Sequence, residues 1–180
     1  LLARPLGRLD VLIALGTHPP MTEGAIAVRL GLSHGERAAR YPHVRVFHHR
    51  WKDPDQLQPV GTIPGERVAE ISVGMMRDPV RVSINRMVFD YDLLLIIGPT
   101  FPHEVVGFSG GNKYLFPGIS GQEIIDMFHW LGALLTSPAI IGKKQTAVRS
   151  VVDAAASMVT VPRLCMSLVV RDEGLAGLFC

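Results

Sequence analysis

The sequence predicts an α/β fold, with a mainly parallel β-sheet flanked by helices and one long binding loop rich in Gly and Pro. Two short continuous apolar runs, Val11–Leu15 and Leu93–Ile97, are typical of buried parallel strands. Two other stretches, Gln122–Leu135 and Thr146–Met158, carry apolar residues at helical spacing. In folds where strands alternate with helices, the loops at the strand C-termini are the default ligand site.

The first strand leads directly into a loop and then a helix. Val11–Leu15 ends at Gly16–His18, and two consecutive prolines after it stop the strand. Thr22 is a good N-cap for a helix over Glu23–Leu30, which Gly31 can close in the left-handed conformation.

The stretch between residues 33 and 86 alternates apolar and polar residues between Pro, Gly and Asp turns. This pattern predicts several strands with short connections, at Val44–Phe47, Val68–Val73 and Val80–Ile84. The second buried strand, Leu93–Ile97, is expected to end at Gly98 and Pro99.

The segment from there to Gly121 is too long and too rich in Gly and Pro for a simple connection, which favours a binding loop. The helix over Gln122–Leu135 follows, with Ser120 or Gly121 near its N-cap. After the helix over Thr146–Met158, the chain returns to a strand at Val161–Val170.

Composition excludes several function classes. Of the residues, 48% are hydrophobic and 19% charged, which suffices to bury a core. The formal net charge of +2, without a block of like charges, gives no sign of a nucleic acid or a membrane as a partner. The longest apolar runs have about five residues, too few for a membrane span or a signal peptide. We therefore expect a cytoplasmic protein.

Both ends of the sequence are abrupt. It starts with Leu1 rather than Met, and a strand-like Arg163–Arg171 with a turn at Gly174 leads to Leu178–Cys180, where a returning strand is only starting. We expect residues 1–180 to be part of an N-terminal cofactor-binding and catalytic domain, truncated at both ends and without its C-terminal domain.

The stretch from Gly107 to Lys113 resembles a phosphate-binding P-loop only superficially. Asn112 takes the place of the second Gly, and Tyr114 replaces the Ser or Thr that would hold magnesium. The Rossmann GxGxxG pattern is also absent from the sequence. The Gly pair at 110 and 111 still allows the backbone to approach a ligand closely.

Two of the seven histidines follow the two best-defined buried strands. His18 comes three residues after Leu15, and His103 six after Ile97. If those strands are neighbours in a parallel sheet, both imidazoles face one crevice, where a pKa of about 6.5 suits acid–base chemistry. A lone loop histidine is more often solvated, but two such loops favour a site.

Two segments resemble the lactate racemase family. The first runs from Ala14 to Glu23 (ALGTHPPMTE), and the second from Phe101 to Gly121 (FPHEVVGFSGGNKYLFPGISG). The second segment is long and specific, and the similarity extends over nearly the whole chain, including Ile140–Met158.

The resemblance implies a racemase or epimerase of 2-hydroxy acids that uses a nickel pincer nucleotide. In that family this pyridinium mononucleotide is joined to a lysine through a thioamide, holds nickel, and takes a hydride from the substrate carbon. Return of the hydride to the other face inverts that carbon, while two acid–base residues serve the two enantiomers.

Carried over by motif, Lys113 resembles the tethering lysine and His129 the nickel ligand, while His18 and His103 resemble the paired acid–base residues. The resemblance also implies cofactor contacts along the two segments, at Gly110, Gly111 and Thr17. The implied partners are a small 2-hydroxy acid, lactate-like or a sugar acid, and the proteins that synthesise the cofactor.

The substrate is less well specified than the cofactor. Pro19 stands where many relatives have Arg, and the Asp/Arg motif with which relatives hold the substrate would precede Leu1. Arg45, Arg50 and Arg86 are other possible carboxylate contacts, although solvated surface charges are the commoner role.

Two alternatives remain open: a non-catalytic α/β nucleotide-binding module and a conventional metal-dependent hydrolase. Nickel content separates the racemase from both, and the acidic partner of a hydrolase site is not evident in the sequence. Residues 1–180 by themselves are expected to be inactive, because substrate-binding elements lie outside them.

Overall fold

Helices and strands are interspersed along the chain in the computed structural model, which describes residues 7–171 and 174–180. The α/β class predicted from the sequence is confirmed. The strands are β1 (Asp10–Ile13), β2 (Arg45–His48), β3 (Leu57–Ile63), β4 (Val80–Asn85), β5 (Leu94–Thr100), β6 (Pro102–His103), β7 (Gly107–Phe108), β8 (Arg163–Arg171) and β9 (Gly174–Phe179). The α-helices are α1 (Glu23–Leu30), α2 (His34–Arg40), α3 (Gly65–Ile71), α4 (Gln122–Leu135), α5 (Ser137–Ile140) and α6 (Ala147–Ala156).

The described strands form four small sheets. β1 pairs with β2 and β5 with β8 in parallel, whereas β3–β4, β6–β7 and β8–β9 are antiparallel. β1 and β5 belong to different sheets, so they are not the neighbouring parallel strands that the sequence suggested. Any meeting of His18 and His103 must therefore come from the loops rather than from adjacent strand ends.

The core lies between β4 and two helices, α4 and α6. α4 packs on both β4 and α6. The buried side chains of this core come from all three elements: Val82, Ile84, Ile124, Phe128, Leu131, Val148, Val151 and Val152. Full burial of such a side chain contributes about 1.5–3 kcal/mol, so this packing holds α4 firmly in place.

The predicted signals around α1 are confirmed. The Thr22 side chain accepts a hydrogen bond from the Ala25 amide at 3.2 Å, and Gly31 closes the helix with φ 65°. The next helix, α2, was not predicted, although Ser33 and Glu36 form a reciprocal capping box at its start.

The predicted strand over Val68–Val73 is wrong, because Val68 and Ile71 lie in α3. A short apolar run does not distinguish a strand from a helix that buries one face. The strand β3 was missed, since it contains Pro59 and Gly61. These two residues flank a register shift against β4, where an irregular strand tolerates them.

Gly98 and Pro99 do not end β5 as predicted; the strand continues to Thr100. A side chain at Gly98 would overlap the ring of Tyr114, whose hydroxyl donates a hydrogen bond to the Pro99 carbonyl at 2.9 Å. Glycine is needed there for close packing, and Pro99 is tolerated because β5 is the outer strand of the described three-stranded sheet.

The long loop before Gly121 contains two short elements, the β6–β7 pair and a 3-10 helix over Gly111–Tyr114. Gly121 is the N-cap of α4, and Thr146 caps α6 by accepting from the Arg149 amide at 3.0 Å. Within the described ranges, no helix has the length and apolar character needed to cross a bilayer.

Candidate functional site

Three of the four predicted chemical side chains gather around one buried ring, that of Phe128 in α4. The His103 ring lies edge-on to it, 6.4 Å between centroids, and the His129 ring lies 5.2 Å away. The amine of Lys113 lies 5.8 Å from the centre of the same ring. We call His103, Lys113 and His129 the Phe128 cluster.

His129 has one nitrogen committed to the fold. Its Nδ1 donates a hydrogen bond to the Ile125 carbonyl at 2.8 Å, because a carbonyl can only accept. In the neutral ring the lone pair is then on Nε2, which is the form in which imidazole binds a metal. α4 thus presents an exposed imidazole with a fixed tautomer next to the Phe128 ring.

His103 is partly buried at the end of β6. Its Nδ1 accepts a hydrogen bond from the Val105 amide at 3.1 Å, so Nε2 carries the hydrogen in the neutral ring. Burial is the main cause that lowers the pKa of His103, and the positive charge of Lys113 lowers it further. Glu104, with a carboxylate oxygen 3.6 Å from Nδ1, acts in the opposite direction.

Lys113 also lies in a partly buried position. Burial lowers the pKa of its amine, and the nearby guanidinium of Arg149 adds to this effect, while Glu104 opposes it. A lowered pKa increases the neutral, nucleophilic fraction of a lysine amine near neutral pH. The environment of Lys113, the one lysine between residues 98 and 121, therefore suits its amine to a covalent bond.

The glycine pair before Lys113 shapes the backbone of the turn. Gly110 and Gly111 have positive φ angles of 88° and 58°, which other residues adopt at a cost. A side chain on Gly110 would overlap Oγ1 of Thr100, whereas one on Gly111 would meet no atom within 4 Å. The turn is therefore packed on its Thr100 side and open at Gly111.

The residues around this turn fit a cofactor of the kind the sequence implied. Thr100 Oγ1 is buried and has no hydrogen-bond partner among the described residues, so a polar group is left for a ligand beside Gly110. The free Nε2 of His129 and the lowered pKa of the Lys113 amine provide one metal donor and one attachment point. In the same described part of the chain, no three His, Cys, Asp or Glu side chains are grouped to hold a metal ion.

The loop with Thr17 and His18 is joined to this region through the backbone. The Gly16 amide donates to the Gly118 carbonyl at 2.8 Å, and the Gly118 amide donates to the Lys113 carbonyl at 3.1 Å. Both Thr17 and His18 are exposed. The structure thus connects the His18 loop to the Lys113 segment through backbone hydrogen bonds, and no side-chain hydrogen bond or ion pair joins His18 to the Phe128 cluster.

The three arginines considered for substrate binding are engaged elsewhere. Arg45 pairs at 2.9 Å with Asp10, whose side chain is only 2% exposed. Hydrogen bonds from Arg45 are the main cause that lowers the pKa of that carboxyl. Arg50 lies 3.8 Å from Asp53, and the Arg86 guanidinium donates to a backbone carbonyl at 3.5 Å.

Sequence reasoning missed Arg149. Its guanidinium donates to the carbonyls of Phe108 and, at 3.4 Å, Gly110. The sequence predicted a helix with Arg149 three residues after Thr146. The spacing of its residues did not show that the side of the helix with Arg149 contacts the glycine turn.

The chain is similar to known proteins in sequence and in structure. The family model of the lactate racemase N-terminal domain matches residues 5–140. A crystal structure of a protein from Thermotoga maritima is similar with a TM-score of 0.85 and 32% identity, over 99% of this chain and 43% of that one. The lactate racemase apoprotein from Thermoanaerobacterium thermosaccharolyticum matches with a TM-score of 0.72 and 21% identity, over 94% of this chain and 36% of that one. The chain thus spans less than half the length of either structure, and a search of curated proteins finds no match.

Proposed function

The chain belongs to the lactate racemase N-terminal domain family, and from this we propose that it is the part of a 2-hydroxy acid racemase or epimerase that holds a nickel pincer nucleotide. The observation that carries the proposal is the Phe128 cluster, in which Lys113 and His129 lie against the same ring as His103. Because all three side chains lie near this ring, we assign them to one site, with Lys113 as the attachment point, His129 as the metal donor and His103 as the acid–base group.

Four residues would hold the cofactor and its metal. Lys113 is the attachment point, the backbone at Gly110 and Gly111 lies along the ligand, and Nε2 of His129 is the nickel donor. The open space at Gly111 and the unpartnered Thr100 hydroxyl support this assignment. When bound, the nickel pincer nucleotide supplies a carbon that takes and returns a hydride, which is chemistry that amino-acid side chains lack. Thr17, in the adjoining loop, is proposed as a further contact.

His103 and His18 are the proposed acid and base for the substrate hydroxyl. With Nδ1 engaged by the Val105 amide, the neutral His103 ring presents an N–H at Nε2 that can donate a hydrogen bond to the substrate oxygen, and only the doubly protonated ring can transfer a proton to it. To accept a proton, His103 must take it on Nδ1 and give up that amide contact. The exposed His18 would serve the opposite face of the substrate carbon, as inversion of a stereocentre requires one group on each side.

The proposed substrate is a small 2-hydroxy acid, lactate-like or a sugar acid, and the cofactor-synthesis proteins are the proposed partners. Arg45 is held by Asp10, so we do not assign it to the substrate carboxylate. Activity belongs to the whole protein, because the related structures are more than twice as long as this chain.

The test is to produce the full-length protein together with the cofactor-synthesis proteins and to measure three quantities. Peptide mass spectrometry should show a mass increase on Lys113, elemental analysis should show nickel, and the protein should interconvert the stereoisomers of a 2-hydroxy acid. Lys113→Arg should lose the adduct. An active, nickel-loaded protein with unmodified Lys113 would exclude the tether, and a folded protein without nickel would favour a nucleotide-binding module.

A further inference from the structure

One face of α6 holds the segment that leads to Lys113. Thr146, Arg149 and Asp153 follow one another at intervals of three and four residues, so they lie on the same side of the helix. Each of them contacts the stretch from Val106 to Asn112. The family model ends at residue 140, so this helix lies outside the matched domain.

The contacts reach alternate carbonyls of the segment. The Thr146 hydroxyl donates to the Val106 carbonyl at 3.1 Å. The Arg149 guanidinium donates from its two terminal nitrogens, one to Phe108 and the other, at 3.4 Å, to Gly110. Side chains from one helix thus fix the carbonyls of three alternate residues, and the last of these residues, Gly110, belongs to the glycine turn.

A fourth contact completes the attachment on the other side of the turn. The Asn112 side-chain amide donates to Asp153 at 2.9 Å. The turn Gly110–Gly111 is therefore held at both ends by α6, and Lys113 comes directly after it. The 3-10 turn links Lys113 to the same carbonyl that Arg149 contacts, because the Lys113 amide donates to the Gly110 carbonyl at 3.2 Å.

We propose that Arg149 is a positioning residue, which fixes the Phe108 and Gly110 carbonyls and thereby sets where the Lys113 side chain leaves the backbone. A planar guanidinium suits this task, because its fork of N–H donors can hold two carbonyls at once, whereas an ammonium group acts as a single point charge. The inference rests on the proposed function only in that the cofactor is attached to Lys113. The positioning of the Lys113 side chain by Arg149 concerns the protein without cofactor.

The position of Arg149 has a second consequence for Lys113. Its positive charge lies close enough to lower the pKa of the amine, together with burial, while Glu104 acts in the opposite direction. The other ionisable group beside Lys113 in the cluster is His103, whose own pKa is lowered by Lys113. Arg149 thus fixes the segment and also favours the neutral form of the amine.

The test compares Arg149→Gln and Arg149→Lys with Arg163→Gln, in protein made without the cofactor-synthesis proteins. Arg163 is a matched control, because it is partly buried and donates to a backbone carbonyl, that of Val159, at 3.0 Å. Hydrogen exchange is followed by mass spectrometry for peptides covering residues 106–116 and for peptides in α4. The pH dependence of Lys113 acylation by an amine-selective reagent is measured alongside.

For Arg149→Gln we expect exchange in residues 106–116 to become about tenfold faster while α4 is unchanged, since two charged hydrogen bonds are lost. The acylation midpoint should move to higher pH. Arg149→Lys should also speed exchange in residues 106–116, but its acylation midpoint should lie closer to that of the unsubstituted protein. Arg163→Gln should change neither the exchange nor the midpoint.

The proposal is overturned if residues 106–116 exchange in both Arg149 variants at the rate of the unsubstituted protein. It is also overturned if exchange in α4 of Arg149→Lys becomes faster by the same factor as exchange in residues 106–116. The second result means a general loss of stability. Should Arg149→Gln fail to fold, Arg149→Lys alone decides by the same comparison. None of these measurements involves nickel or racemisation, so failure of the proposed function leaves the positioning result intact, and the reverse also holds.

Discussion

Nδ1 of His129 donates a hydrogen bond to the carbonyl of Ile125, one turn earlier in α4, at 2.8 Å. The backbone of a firmly packed helix thus sets both the tautomer and the direction of the imidazole. Because α4 is buried on its other face, the free Nε2 is available without any rearrangement of the core.

The first prediction concerns nickel. His129→Gln should lower the nickel content of protein produced with the cofactor-synthesis proteins by at least about tenfold, since even loss of an outer partner of a metal ligand costs that much. Elemental analysis measures this. His34→Gln, on an exposed residue of α2, is the control and should keep its nickel. Equal nickel in both variants would remove His129 from the metal site.

The second prediction concerns the charges around His103. Lys113→Met should raise the pKa of His103, because the lysine charge disfavours the imidazolium, whereas Glu104→Gln should lower that pKa, because the carboxylate favours it. An NMR titration of the ring C–H signals measures both shifts.

The opposite signs make this test selective. General loosening of the site raises the pKa of His103 in both variants, since burial is the main cause of the lowering. Shifts of one sign in both variants contradict the electrostatic assignment.

The third prediction concerns the glycine turn. Gly110→Ala should destabilise the protein by about 1–3 kcal/mol, because its φ of 88° is unfavourable for alanine and the new methyl overlaps Thr100 Oγ1. Gly35→Ala is the control, since Gly35 lies in α2 with open space around it, and should add up to about 0.5–1 kcal/mol of stability. Urea unfolding gives both values.

A double variant separates the two causes. Thr100→Ala combined with Gly110→Ala should recover the part of the loss that comes from overlap, leaving the backbone strain. If the double variant is no more stable than Gly110→Ala alone, the overlap with Thr100 is not part of the cost.

Local chemistry explains which elements were predictable from the sequence. Thr22 and Gly31 act through hydrogen bonds to their own neighbours, so the bounds of α1 could be read directly. The helix α4 was predictable because its apolar spacing is long and regular, and this placed His129 at the border of its buried face. The Lys113 loop was found through its length and glycine content.

Long-range contacts explain what was missed. The pattern could not show that Val68 packs within a helix, because a short apolar run fits either structure. Gly98 followed by proline is typical of a strand end, but this glycine lies within β5, where it admits the Tyr114 ring from a distant turn. Arg149 was missed for the same reason, as its partners lie about 40 residues earlier in the chain.

The last prediction concerns stability and pH. The ring of His49 is 2% exposed; its Nε2 donates to the Ser120 carbonyl at 2.9 Å, and its Nδ1 accepts from Asn85 at 3.3 Å. These contacts hold the neutral ring, and burial lowers the pKa of His49. The unfolded chain takes up this proton near pH 6.5, at about the ordinary pKa, while the folded protein does not until lower pH.

The direction in which the free energy of unfolding changes with pH follows from this difference. The stabilising contribution of His49 is complete above about pH 6.5 and is lost as the pH falls below that value, at a slope of up to about 1.4 kcal/mol per pH unit. Carboxyl groups with lowered pKa values, such as that of Asp10, titrate well below this range. The free energy of unfolding in urea should therefore be lower at pH 5.5 than at pH 7.5.

His49→Gln should be less stable at both pH values, because Ser120 and Asn85 lose a matched partner, but its decrease between pH 7.5 and 5.5 should be smaller than that of the unsubstituted protein. The His103 ring adds a decrease of the same sign, so His49→Gln should retain part of the pH dependence. An unchanged decrease in His49→Gln means that the buried ring is not the source of the acid sensitivity, and that His103 or another group must account for it.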